Sequence, residues 1–192
     1  MPDKSALNIV STLFILLPLW YNVGKMKEAG LLGRLFFFFL SIGLVTDLLM
    51  WYFHENPTEG VSRYLFSIYS LCEAVFFFWL LRRIGEGTIL FKMAGYSMIL
   101  TPIVWVITLV VSLTFPDHPV SGITFDAIYE VTASFLAGFT LLLLAERDVA
   151  LARSWQFWFA SGIFCYCFCT FFVMNLVGTQ LSITLWPLNN FV

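Results

Sequence analysis

The chain has 192 residues, of which 60% are hydrophobic and 11% charged, with a formal net charge of -2 and a mean hydropathy of +0.88. Soluble domains carry about 25% charged and about 45–50% apolar residues, and 22 Phe, 7 Trp and 7 Tyr make more apolar surface than a water-soluble fold can hide. Lipid is therefore the expected solvent, and the small net charge gives no basis for a nucleic-acid partner.

The chain opens on Met1-Pro2-Asp3-Lys4-Ser5, without the basic region, short apolar core and small-residue cleavage site of a secretory leader. The first apolar run, Ala6–Val23, is accordingly read as a retained span. Five more runs approach or exceed the roughly 20 residues that cross about 30 Å of hydrocarbon as helix. They lie at Gly33–Phe53, Tyr64–Leu81, Met93–Phe115, Ile123–Ala145 and Trp155–Val177. The runs are continuous rather than alternating, which excludes a membrane β-barrel.

After Gly178-Thr179-Gln180 a further apolar stretch, Leu181–Val192, is too short to span. It reads either as an interfacial or re-entrant tail or as a seventh helix cut short, and the second is the expectation. The fold class is thus all-α: a polytopic transmembrane helical bundle of six spans plus a short seventh hydrophobic segment, in one integral membrane domain. Pro18 and Pro102 fall inside spans and are expected to kink them.

Orientation follows from the basic residues. Lys25, Lys27, Arg34, Arg82, Arg83, Lys92, Arg147 and Arg153 flank one side, whereas Lys4 and Arg63 alone occupy the other. This bias places the N-terminus outside and the protein in a cell inner (plasma) membrane. Trp20, Tyr21, Trp79, Trp155 and Trp158 mark the inner interface, and Trp51, Tyr52 and Tyr64 the outer one. A seven-helix bundle of this orientation is similar in topology to rhodopsin-like and sugar-transporter-like proteins. A span lysine able to hold retinal is absent, and topology alone carries no function.

Ionisable residues inside spans carry the functional signal, because an aspartate at a helix centre costs about 2.5–3.5 kcal/mol on insertion scales. Asp47, Glu73 and Glu130 are such residues, with Asp126 one turn outward of Glu130. At 1.5 Å per residue, Asp47 lies roughly 9 Å, Glu73 roughly 15 Å and Glu130 roughly 10 Å from the outer ends of their spans. No Lys or Arg occupies a span interior, so these acids are neutral and hydrogen-bonded, wetted by a crevice, or holding a cation. Tyr69 lies one turn before Glu73 and shares its face. Asn175, Asn189 and Asn190 stand at comparable depth; His54, just past the second span, reads as a solvated loop residue, with a place leaning over the crevice as the alternative. The bland alternative is a set of neutral acids tying helices together.

Cys165, Cys167 and Cys169 alternate on one helix without a completing His, so they read as packing residues rather than a metal site, as does Cys72. The pairs Ala133/Ala137 and Ser134/Gly138 are small-xxx-small faces for close helix contact, within the chain or in a homo- or hetero-oligomer. Ile68-Tyr69 and Ile128-Tyr129 begin similar runs, yet Glu73 then aligns with Ala133, so the acid does not repeat. Trp105 sits deep in the fourth segment, where it is expected to face protein or a cavity.

No catalytic triad, phosphate loop, metal-binding His pair or cofactor motif is present. The leading expectation is a small-solute or ion-binding bundle, transporter-like or sensor-like, with a carboxyl-lined crevice open to the outside and no cofactor. The alternatives are an intramembrane enzyme acting on a lipid or prenyl substrate and a helical scaffold subunit of a membrane complex.

Overall fold

A computed structural model describes residues 30–55, 59–114, 124–147 and 151–175, together with Leu16, Leu19, Trp20 and Val23. Among these residues there are helices and turns but no strand. Five long helices follow one another: α1 (Leu31–Glu55), α2 (Glu59–Ile84), α3 (Ile89–Thr114), α4 (Thr124–Arg147) and α5 (Trp155–Asn175), with a 3-10 turn at Leu151–Arg153. All five are long and apolar enough to cross a membrane. Helix is the form such runs take in lipid, because it satisfies every backbone N–H and C=O within the segment.

The expected count of six spans plus a seventh segment is not matched. Of the first segment, Leu16, Leu19, Trp20 and Val23 are described, all of them helical. Pro18 and the stretch Leu181–Val192 lie outside the described residues. The other five segments agree with α1 to α5 within a few residues. Helix α3 continues through Pro102, and Trp105 is half-buried.

Burial differs sharply between helices of similar composition. In the most apolar window, 39% of α2 and 39% of α4 are buried, against 6% of α1 and 6% of α3. The first and third helices therefore bury few of their apolar side chains fully, which lipid tolerates and water would not.

The chain divides into two units, one up to Glu73 and one from Ala74 onward, and α2 contributes to both. In the first unit, α1 meets the opening half of α2 through Phe39 and Tyr69, whose rings stack with centroids 6.4 Å apart.

In the second unit, the closing half of α2 supplies the buried residues Ala74, Phe77, Phe78, Leu80 and Leu81. Phe77 meets Tyr166 of α5 edge-on at 5.8 Å. The link to α3 is a tight turn in which Gly85 O accepts from the Thr88 N–H at 3.0 Å and from its hydroxyl at 2.7 Å. Gly87 in this turn has φ +82°, a conformation that favours glycine. Beside it the Arg82 guanidinium lies 4.4 Å over the Phe91 ring.

Helices α4 and α5 pack along matched seams. The buried positions of α4 include Tyr129, Ala133, Leu136, Ala137 and Thr140; on α5 they are Ala160, Ile163, Cys167 and Thr170. These spacings of three and four residues mark one face of each helix. The small pair Ala133 and Ala137 is fully enclosed, so this face is taken up within the chain. Ser154 caps α5, its hydroxyl oxygen accepting the Phe157 N–H at 3.2 Å. Cys167 is buried and Cys165 exposed, and Cys72, Cys165, Cys167 and Cys169 are all free thiols.

Candidate functional site

In the first unit, Tyr69, Glu73 and Asp47 come together. Tyr69 and Glu73 are one turn apart on α2, and the Tyr69 hydroxyl donates a hydrogen bond to the Glu73 carboxyl. Asp47 lies on α1 within electrostatic reach of the same hydroxyl. Glu73 is buried at 4% exposure, while Asp47 and Tyr69 are half-buried.

What lets the ring in is Gly43. A Cβ built there would stand 3.2 Å from the Tyr69 hydroxyl oxygen and 3.6 Å from Cε2. Phe39, Gly43 and Asp47 follow at intervals of four and form one stripe of α1. The phenol is thus stacked on Phe39, seated over Gly43 and set near two carboxyl groups. Two acids beside two aromatic faces make a set suited to a positive charge.

Sequence reasoning picked out Asp47, Tyr69 and Glu73 but missed Phe39 and Gly43. Their signal was the four-residue interval leading to Asp47, hidden because α1 is apolar all round. Glu130 belongs to the second unit and is buried at 2% exposure. Asn175 is the last residue of α5. Asn189 and Asn190 lie outside the described residues, as does the side chain of His54. Among the described residues no group of three or more His, Cys, Asp and Glu is gathered as for a metal ion.

A second feature is apolar. Between α4 and α5 runs a groove of about 590 Å³, with Phe135 and Phe139 on one side and Phe164, Phe168 and Phe172 on the other. The Phe164 ring rests on Gly138, 3.4 Å from where a Cβ would be. Ser134 is the single polar residue of the lining, and none of the candidate acids takes part.

No protein-family model, curated protein or solved structure matches this chain. Five apolar helices of spanning length make it compatible with an integral membrane protein.

Proposed function

We propose that this multi-pass membrane protein binds a small cationic solute, as a transporter or sensor would, between α1 and the opening half of α2. The observation that carries the reading is the Tyr69–Glu73 hydrogen bond seated over Gly43 with Asp47 close by. An organic ammonium is the favoured class, because Phe39 and Tyr69 offer aromatic faces while Asp47 and Glu73 offer countercharge.

Calorimetric titration of the full chain in detergent with choline, tetramethylammonium and ethanolamine tests this. Binding of at least one is expected, weakened about tenfold or more by Asp47→Asn and by Glu73→Gln, and less by Tyr69→Phe. Absence of binding by all three, or binding indifferent to both acid substitutions, would sink the reading. Uptake into reconstituted vesicles then separates transport from sensing.

The groove between α4 and α5 supports a second reading, action on a lipid or prenyl chain. Under that reading a prenyl alcohol, rather than an amine, binds, and Phe168→Ala weakens it while Asp47→Asn does not.

The proposed orientation has the N-terminus outside, carried by the basic-residue bias. Glu86, exposed in the turn after α2, serves as the reporter for the inner face. In a background lacking native cysteines, Asn56→Cys and Gly122→Cys should react with an impermeant thiol reagent on intact cells. Glu86→Cys should react only after the membrane is opened. Labelling of Glu86→Cys from outside reverses the orientation.

A further inference from the structure

The turn between α2 and α3 gathers positive charge where two apolar helices end. The apolar stretch of α2 closes at Ile84 and that of α3 opens at Ile89, so the turn sits at the edge of the hydrocarbon layer. Arg82, Arg83 and Lys92 flank it against a single acid, Glu86. The end of α2 and the start of α3 bring dipole charges of opposite sign that offset each other, so the side chains set the local sign. Arg83 and Glu86, both exposed, pair at 3.8 Å. Arg82 and Lys92 are the excess, and neither has an acidic partner among the described residues.

Arg82 is held in place. Its guanidinium lies 4.4 Å over the Phe91 ring, and a Cβ at Gly95 would stand 3.6 Å from its Nε and 3.8 Å from its Cδ. Phe91 and Gly95 are four apart and form one stripe of α3, so the half-buried side chain crosses two turns of that helix with an aromatic floor under its charge. Exposed Lys92 precedes Gly95 by three residues, which sets its Cβ about 5–6 Å from the Gly95 position and makes it a neighbour of Arg82. An arginine packed in this way has given up side-chain freedom before any ligand arrives. Its planar fork of N–H groups matches two oxygens of one anion.

We propose that Arg82, seated on Phe91 and Gly95, and Lys92 hold the phosphate of one anionic phospholipid at the α2–α3 turn. Long basic side chains at the ends of spans reach to headgroup level, where anionic lipids supply the countercharge. Further along α3, Met93 and Tyr96 are exposed and give acyl chains a wall to lie against, which a soluble anion would not use. The proposal rests on the membrane-spanning reading. It lies wholly in the second unit and stands independently of the organic-cation site at Asp47, Tyr69 and Glu73.

The test is native mass spectrometry of the full chain released from detergent carrying dioleoylphosphatidylglycerol or dioleoylglycerol, two lipids that share their chains and differ in the phosphate. One phosphatidylglycerol is expected to be retained along a saturating curve, about tenfold or more tighter than the diacylglycerol. Arg82→Gln should weaken it about tenfold and Lys92→Gln about threefold. Arg82→Lys keeps the charge but loses the fork, and should still weaken it about fivefold. Removing the neighbouring pair with Arg83→Gln and Glu86→Gln together leaves the net charge unchanged and should leave the curve in place, as should Asp47→Asn. Equal retention of the two lipids overturns the site while leaving the spanning reading intact, and retention of neither overturns both. A loss from the paired variant as large as that from Arg82→Gln, or displacement of the lipid by inorganic phosphate, also overturns the proposal. The comparison of lipids needs no variant and Lys92 is exposed, so misfolding of an Arg82 variant does not shield it.

Discussion

Phe78→Ala is expected to lower the unfolding free energy by about 2–3 kcal/mol, measured by titrating the protein in mixed micelles with a denaturing detergent. Phe78 is 1% exposed in the closing half of α2. In a soluble core the same truncation costs about 3–5 kcal/mol, part of which is transfer from water and part the cavity left behind. Lipid is as apolar as the core, so the transfer part largely vanishes and lost packing remains. Phe38→Ala supplies the control. Phe38 is 55% exposed on α1, and removing it should change stability by less than about 0.5 kcal/mol. Equal losses from the two substitutions would mean that packing within the chain is not what sets its stability.

Gly85→Ala should cost about 1–3 kcal/mol, the usual range for overpacking. A Cβ at Gly85 would lie 2.7 Å from Leu90 Cγ and 2.8 Å from Leu90 Cβ. Leu90 is fully enclosed, and its Cβ cannot swing aside without its backbone. The Gly85 N–H also donates to Leu81 O at 2.9 Å, so the turn is held from both ends. Because the cost is steric, Gly85→Ala combined with Leu90→Ala should be less destabilising than the sum of the two. Gly87→Ala differs in kind. No atom lies within 4 Å of its Cβ position, yet φ +82° should still cost about 1–2 kcal/mol through backbone strain. The same denaturation measurement on the single and double variants separates the two causes.

How legible these features are follows from what lipid does to a sequence. Spans stand out because crossing hydrocarbon demands an unbroken apolar run, and α1 to α5 begin and end within a few residues of the expected limits. Asp47, Glu73 and Glu130 stand out for the converse reason, as costly residues in such runs. Faces are another matter. In water a buried face is apolar and an exposed one polar, but Phe38 and Phe78 are chemically identical and differ only in what surrounds them. Nothing in the order of side chains marks Cys167 as enclosed and Cys165 as open. Gly43 likewise reveals its role only once Tyr69 is seen to rest on it. The aromatic groove was illegible because its Phe residues serve equally well against lipid.

The back-bonded threonines have a mechanical consequence. Thr101, Thr140 and Thr170 turn their hydroxyls toward their own helix, and Thr108, Thr114 and Thr132 do the same. At these positions α3, α4 and α5 thereby present methyl groups in place of donors. A helix sliding or rolling against such a surface trades one set of dispersion contacts for another and breaks none of these six bonds. Between α4 and α5, part of the resistance to movement comes from shape: the notch at Gly138 and the width of the Phe164 ring seated in it.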